Sequence, residues 1–231
     1  MSRGDELDLY EALSTTPATR EFTEDPVDDA TVQRLLEVAR FAPNGGNRQG
    51  WYVLVIRDAA TREALVEACD PIVRRYIAQG AAGEAPLNTI EPTRVDAATI
   101  AATEIPAWTV AHYRTAPVLL MACVDLSVVA STDAALDRVG VISGASIYPF
   151  VWSILLAARA EGLGGVMTTM PIGNEPALQA ALGIPAHVAI AAIVPLGRPV
   201  KQVRKLRRGP VAEFARLERW DGPALGDTPG S

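Results

Sequence analysis

Residues 42–51 are Ala42-Pro43-Asn44-Gly45-Gly46-Asn47-Arg48-Gln49-Gly50-Trp51. The glycines let the backbone approach a planar ligand closely, and the side-chain amides of Asn44, Asn47 and Gln49 both donate and accept hydrogen bonds. This combination suits the mixed donor and acceptor edge of an isoalloxazine or a similar ring. An ordinary left-handed helix cap and turn fits the same residues equally well, because Asn-Gly-Gly is also typical of such caps.

Regular elements are predicted on both sides of this segment. Before it, apolar residues recur at helical spacing from Val32 to Ala39, with Asp28 or Asp29 as the cap. After it, the apolar, β-branched and aromatic run Trp51 to Ile56 is typical of a buried strand. The other predicted elements are a short helix before Pro17, a helix from Ala59 through Ala68, a strand Pro117 to Val124, a long apolar helix Ala134 to Glu161 that Pro149 kinks or restarts, a glycine-led strand Gly162 to Met170, a helix Glu175 to Leu182 and a strand Val188 to Leu196.

The order of these elements indicates an α+β fold, a three-layer α-β-α sandwich in which helices cover a small mixed sheet. We expect one domain over residues 1–231. Residues from about 80 to 107 lack sustained periodicity and are predicted to form a lid-like surface excursion. The helix Ala134 to Glu161 is apolar nearly all round, which predicts a homodimer with an extensive apolar interface.

Composition excludes several classes of protein. The chain has 231 residues, 49% of them apolar, a net charge of −6, and no run of eighteen uncharged apolar residues. We therefore expect a cytoplasmic protein that binds neither membranes nor nucleic acid. The widely spaced Cys69 and Cys123, and the isolated His112 and His187, predict neither a disulfide framework nor a metal site.

A second candidate site is Thr15-Thr16-Pro17-Ala18-Thr19-Arg20. Arg20 can grip a phosphate with its planar fork of donors, and backbone N–H groups around Pro17 can add to an anion site. The alternative is a surface loop whose arginine pairs with Glu21 or Glu24.

The third candidate runs from Gly162 to Pro171. It lacks the GxGxxG spacing before a helix, so a Rossmann dinucleotide site is rejected. Thr168 and Thr169 at a strand end can hydrogen-bond a ligand, although threonine in a strand more often reflects β-propensity.

The fourth candidate is a basic segment at the end of the chain, residues 198–219, which contains eight of the 21 cationic residues. Because aromatic residues are not interleaved with these cations, recognition of RNA by stacking is not expected. A phosphate clamp, or an arm that embraces a second subunit, fits better.

The chain has no convincing set of nucleophile, acid and base. Ser143 and Ser146 lack a histidine and an acid at suggestive spacing, and both histidines are interpreted as structural. Anion sites and amides without such a set indicate that a bound cofactor performs the reaction.

Taken together, the four segments resemble the nitroreductase family, including its iodotyrosine deiodinase-like branch, from Leu9 to about Trp220. The family motif Arg-Arg-Ser-x-Arg is matched by Thr16-Pro17-Ala18-Thr19-Arg20, followed by Phe22 and Pro26-Val27. Only its last arginine is present here. The family motif Ala-Pro-Ser-x-x-Asn-x-Gln-Pro-Trp is matched by residues 42–51, with Asn44 for the serine and Gly50 for the second proline.

The resemblance implies a non-covalent FMN bound in a homodimer interface, with residues 198–231 as an arm and tail embracing the partner. The implied cofactor-binding residues are Thr16, Pro17, Ala18, Thr19 and Arg20 in the phosphate motif, Lys205 and Arg208 in the basic segment, and Asn44, Gly45, Asn47, Gln49, Thr168, Thr169 and Met170 around the flavin.

The implied reaction passes hydride from NADH or NADPH to a small acceptor, such as a nitroaromatic or a quinone, by a ping-pong mechanism in which the flavin carries the chemistry. Three alternatives remain open on the same scaffold. They are a reductive dehalogenase, a flavin-modifying enzyme and a non-catalytic flavin-storage protein.

Overall fold

The computed structural model describes residues 7–226, so the end of the predicted tail, residues 227–231, lies outside the described residues. The helices are α1 (Leu9–Thr15), α2 (Asp29–Ala39), α3 (Ala59–Ala81), α4 (Ala97–Ala102), α5 (Ala111–Thr115), α6 (Tyr148–Ala160) and α7 (Glu175–Leu182). The strands are β1 (Trp51–Ile56), β2 (Val118–Asp125), β3 (Gly164–Gly165) and β4 (Val188–Gly197).

Aspartate caps begin four of the helices. The side chains of Asp8, Asp28, Asp58 and Asp96 accept hydrogen bonds from the first-turn N–H groups of α1, α2, α3 and α4. Each satisfies donors that have no partner inside the helix. The predicted start of α2 is therefore confirmed at Asp28.

The strands form one sheet in the order β1-β2-β4-β3, and every pair among them is antiparallel. Within residues 7–226, the parallel component of the sheet is limited to an isolated bridge between Ala18 and Gly165. The sheet is thus small, as predicted, but its mixed character lies in that single bridge.

Helices cover both faces of the sheet, which confirms the three-layer architecture. Alternate residues of β2, such as Leu120 and Ala122, pack with residues of α2 and α6, whereas Leu119 and Met121 pack with residues of α3 and α7. The alternation follows from the period of two along a strand.

The predicted helix Ala134 to Glu161 is wrong in its first half. The α-helix begins at Tyr148, and residues 134–147 form turns and one short 3-10 helix, Ser143–Ser146. The carboxylate of Asp133 closes this loop by accepting bonds from the Ser131 hydroxyl, the Arg138 guanidinium and the Val141 N–H. Local polar bonds therefore replace the helical ladder.

Two further predictions are corrected. The glycine-led strand Gly162 to Met170 shortens to the two residues of β3, followed by the isolated bridge of Thr168 to Ile193. The helix predicted from Ala59 extends through Pro71 to Ala81. It thereby takes in the start of the predicted excursion, which also contains α4.

Polar contacts fix the excursion internally and attach it to α3. The Glu84 carboxylate accepts bonds from the Thr93 hydroxyl and the Arg94 N–H, both 2.7 Å long, and Arg74 donates to the Thr103 carbonyl.

Among residues 7–226, no helix combines the length and the apolar character needed to cross a membrane.

Candidate functional site

A pocket of about 430 Å³ lies on the α3 side of the sheet. Apolar and aromatic groups form most of its wall, and a few polar side chains converge on it, which is the usual character of a small-molecule site. Its lining residues are Arg20, Val73, Tyr76, Ile77, Pro106, Trp108, Thr109, Val110, His112, Tyr113, Thr168 and Met170.

The segment around Arg20 is held in place by β3. The Thr19 N–H donates to the Gly165 carbonyl at 2.9 Å, and the bridge between Ala18 and Gly165 extends the sheet by one residue. Arg20 thus reaches the pocket wall, where its side chain is exposed. No acidic side chain in residues 7–226 forms an ion pair with it, so neither Glu21 nor Glu24 is its partner.

The rest of the first motif does not line the pocket. The buried hydroxyl of Thr16 donates to the Ala12 carbonyl of α1 at 2.7 Å. Pro17 and Ala18 carry no polar side chain, and the Thr19 side chain packs over Gly164. Arg20 is therefore the member of this motif whose side chain reaches the pocket.

The segment after β3 brings Thr168 and Met170 to the pocket, while Thr169 points to solvent. The Thr168 backbone pairs with Ile193 of β4, and its buried hydroxyl lies 2.8 Å from the Tyr113 hydroxyl. Burial raises the pKa of Tyr113 above its ordinary value, so the phenol stays protonated. The two hydroxyls satisfy one another and fix this corner of the pocket.

The pocket also contains buried polar atoms without partners. Both ring nitrogens of His112 and the Thr109 hydroxyl are buried and find no hydrogen-bond partner within residues 7–226. His112 is 4% exposed, and burial, together with the positive charge of Arg20, lowers its pKa from 6.5 to about 4. The imidazole is therefore neutral at pH 7, with one donor and one acceptor nitrogen.

The residues 44–49 segment forms a strained turn ahead of β1. Gly46, Asn47 and Gln49 have φ angles of 64°, 53° and 51°. The side-chain Oδ1 of Asn44 accepts a 2.9 Å bond from the Gln49 N–H, and the Gly45 N–H donates to the Ser146 hydroxyl. Positive φ at two non-glycine residues costs free energy, and such strain is often found where function requires a particular backbone shape.

This turn and the pocket lie at opposite edges of the sheet. Trp51, directly after the turn, is level with Ala189 of β4 across β2, whereas Ala18 lies beyond β3, level with Leu196. Trp51 and Ala18 are thus four strand spacings apart across the sheet and seven residues apart along the strands. Together these two offsets correspond to a distance of about 30 Å. Asn44, Gly45, Asn47 and Gln49 therefore do not meet Arg20 within one chain.

The basic segment starts next to the Arg20 segment. The Thr23 N–H donates to the Arg198 carbonyl at 2.9 Å, the Val200 N–H to the Glu21 carbonyl at 3.2 Å, and the Gln202 side-chain amide to the Thr15 carbonyl at 3.1 Å. Lys205 and Arg208 follow a few residues later, exposed to solvent, and neither lines the pocket.

Sequence reasoning missed several residues of this pocket, among them Tyr76, Trp108, Thr109, His112 and Tyr113. Trp108 to Tyr113 follow the end of the predicted excursion, where no periodic pattern suggested an inward-facing position. The available signal was the clustering of a tryptophan, a threonine, a histidine and a tyrosine within six positions directly before a buried strand.

These features define an α+β protein with a ligand pocket on one sheet face and a strained amide-rich turn at the far edge. A sequence profile of the Nitroreductase family matches residues 15–198. A protein of Thermus thermophilus named NADH dehydrogenase is 30% identical over 197 residues, which cover 85% of this chain and 89% of that protein. The chain belongs to the nitroreductase family, and its general class is that of an oxidoreductase.

Solved structures agree with this assignment. A putative nitroreductase in complex with FMN from Desulfovibrio desulfuricans superimposes with a TM-score of 0.61 at 25% identity, covering 91% of this chain and 95% of that one. Iodotyrosine deiodinase bound to FMN and 3-iodo-L-tyrosine superimposes with a TM-score of 0.65 at 21% identity, covering 92% of this chain and all of the other. The nitroreductase fold predicted from sequence is thereby confirmed.

Proposed function

We propose that this chain is an FMN-dependent oxidoreductase that passes hydride from NADH or NADPH to a small acceptor in the cytoplasm, where these donors are made. The observation that carries the proposal is the pocket in which Arg20, Thr168 and Met170 converge. When bound, FMN supplies the hydride-accepting and hydride-donating chemistry. The FMN named in the two solved structures, and the name of the Thermus relative, support the cofactor and the donor.

The residues of the chain fit such a cofactor at its anionic end. Arg20 is a cation without an acidic partner in residues 7–226, and the basic segment begins beside it at Arg198. Arg20 and Arg208 would hold the phosphate, with Lys205 as a further cation. Thr168, Thr169 and Met170 would lie along the ring, and the pairing of the Thr168 backbone with Ile193 would hold the segment in place there.

The amide-rich turn would complete the site from a second subunit. Because about 30 Å separates it from the pocket in one chain, Asn44, Asn47 and Gln49 would contact a flavin bound mainly by the partner. The strained backbone of this turn supports a binding role, since strain persists where the surroundings select that shape.

The basic segment would form the arm of that dimer. Trp51 to Ile56 is an edge strand with exposed apolar side chains, and a groove of about 610 Å³ lies between it and α2. Phe214 and Trp220 in the arm are 74% and 98% exposed in the single chain. An arm of the partner laid along this edge would cover apolar surface on both chains. Residues 80–107 would cover the pocket as a lid, since Pro106 near their end lines it and Trp108, directly after them, does so too.

Anaerobic reduction tests the function directly. The purified yellow protein should bleach rapidly with NADH or NADPH and recover its colour when a nitroaromatic or a quinone is added. Colour that persists with both donors would favour flavin storage. Consumption of an iodinated phenol, or loss of flavin mass during turnover, would favour the dehalogenase or the flavin-modifying alternative. Apo-protein that takes up no FMN would overturn the proposal.

The phosphate clamp makes a second, separable prediction. Arg20→Ala and Arg208→Ala should each weaken FMN binding by about ten- to a hundredfold, because each removes one charge-assisted hydrogen bond. Binding of riboflavin, which lacks the phosphate, should change much less. Fluorescence quenching of both flavins on titration with apo-protein measures this, and Arg216→Ala, an exposed arginine later in the arm, is the matched control. If both variants keep the wild-type preference for FMN, the clamp lies elsewhere.

A further inference from the structure

The pocket contains a recognition point that the flavin-binding residues do not account for. The His112 nitrogens and the Thr109 hydroxyl are buried without partners within residues 7–226; Thr109 ends the 3-10 helix Ala107–Thr109, and His112 lies three positions later in the first turn of α5. A buried donor or acceptor without a partner is costly, so such atoms in a pocket wall indicate a ligand that satisfies them.

The chemistry of these two side chains limits that ligand. The neutral imidazole has one donor and one acceptor, and the threonine hydroxyl can act as either. An uncharged hydroxyl or carbonyl oxygen of a ligand matches both groups. Trp108 and Tyr76 add aromatic surface to the pocket wall. Because Trp108 is 76% and Tyr76 is 45% exposed, a flat ring can stack on them.

The charge of the pocket excludes another class of ligand. No aspartate or glutamate is among the described residues that line it, and Arg20 is its one formal cation. An ammonium group would leave water without a carboxylate partner among these residues, which is unfavourable. Amino-acid acceptors are therefore disfavoured.

We propose that Thr109 and His112 determine acceptor specificity by hydrogen-bonding an uncharged oxygen of a small aromatic acceptor whose ring lies between Trp108 and Tyr76. This inference rests on the proposed function in so far as the bound compound is the electron acceptor of the reaction. The binding preference itself does not require turnover. The preferred acceptors are aromatic compounds with a hydroxyl or a quinone carbonyl, and without an ammonium group.

Three probes with the same ring test the proposal: 4-nitrobenzyl alcohol, 4-nitrotoluene and 4-nitrobenzylamine. Quenching of Trp108 fluorescence in the oxidised holoprotein, without nicotinamide, reports binding, and Trp108→Phe identifies the signal among the four tryptophans. The alcohol should bind at least about tenfold more tightly than either other probe, because its hydroxyl can both donate to and accept from the buried polar groups without adding charge.

Substitutions assign the preference to its residues. Thr109→Val and His112→Phe should each reduce the advantage of the alcohol over nitrotoluene by about five- to tenfold, whereas Thr109→Ser should retain it. Thr115→Val, on the exposed side of α5, is the matched control. Equal binding of the three probes, or an unchanged preference in Thr109→Val, overturns the inference. Flavin bleaching by nicotinamide, measured on the same samples, separates this result from failure of the proposed function.

Discussion

His112 shows how one buried side chain makes the stability of the fold depend on pH. Its ring packs against Tyr113 with centroids 4.2 Å apart, and Arg20 is the charged group that acts on it from the neighbouring segment. Protonation would place a second positive charge in a buried position beside Arg20. The folded state therefore selects the neutral imidazole.

This selection predicts a loss of stability in mild acid. Because the pKa of His112 falls from 6.5 to about 4 on folding, its contribution is fully present above pH 6.5 and is lost as the pH falls toward 4. At pH 5 the free energy of unfolding should be lower than at pH 7 by about 2 kcal/mol from this residue alone. Urea denaturation of wild type and His112→Phe at both pH values measures the difference.

His187 provides the matched control for that experiment, because it is exposed on the loop before β4. His187→Gln should keep the wild-type fall between pH 7 and pH 5, whereas His112→Phe should lose most of it. If His112→Phe and wild type fall equally, the imidazole is not the titrating group. Asp133, whose pKa is lowered to about 2 chiefly by the Val141 N–H, acts in a more acidic range and does not interfere.

At the scale of elements, β3 is short but holds the first motif and the end of β4 together. Gly165 pairs with Leu196 on one side and bridges Ala18 on the other. Added to Gly165, a Cβ atom would lie 2.7 Å from the Pro195 carbonyl oxygen and from a Leu196 methyl group, and 2.9 Å from a Leu155 methyl group. The backbone oxygen cannot move without breaking the sheet.

Gly165→Ala should therefore lower the free energy of unfolding by about 2–3 kcal/mol, as overpacking of a rigid core does. Gly80→Ala is the matched control, since a Cβ atom there meets nothing nearer than 3.8 Å and lies within α3. That variant should be stabilised by about 0.5–1 kcal/mol. Urea unfolding gives both values, and a Gly165→Ala protein as stable as wild type would show that β3 yields more readily than this packing indicates.

Elements with a strong local pattern were predictable from sequence. The strand Trp51–Ile56 and the helix Glu175–Leu182 have the predicted bounds, because alternation, caps and glycine stops act locally. Residues 134–147 were not predictable, because their composition is that of an apolar helix, whereas the bonds that the Asp133 carboxylate accepts fold them into a loop. Such local polar bonds leave no periodic signal in the sequence.

The candidate site was predictable only in part, for a similar reason. Arg20, Thr168 and Met170 belong to local motifs, and the structure brings them together. His112 reaches the same pocket because α5 is positioned by Arg62 of α3. The Arg62 side chain is only 8% exposed and donates to the carbonyls of Tyr113, Ala116 and their neighbours. This contact spans more than fifty residues and leaves no periodic signal.

At the scale of the whole molecule, two adjacent helices each expose large apolar side chains. Leu9 and Tyr10 of α1 are 62% and 80% exposed, and α6, which packs beside α1, exposes Tyr148 and Trp152. The guanidinium of Arg159 on α6 donates to the Thr15 hydroxyl and ties the two helices together. Exposed apolar side chains on neighbouring helices favour an interaction site, and the family fold supports a second copy as the occupant.

The protein should therefore be a homodimer at low micromolar concentration by light scattering. Tyr10→Glu and Trp152→Glu should each shift it toward monomer, because each places a charge in the apolar interface without a partner. The same variants should lose FMN, since the amide turn of one chain would no longer reach the pocket of the other. Ile90→Glu, which changes an 86% exposed residue of the excursion, is the control and should remain a flavin-loaded dimer. A wild-type monomer that retains FMN would contradict the shared site, because about 30 Å separates the two halves of that site in one chain.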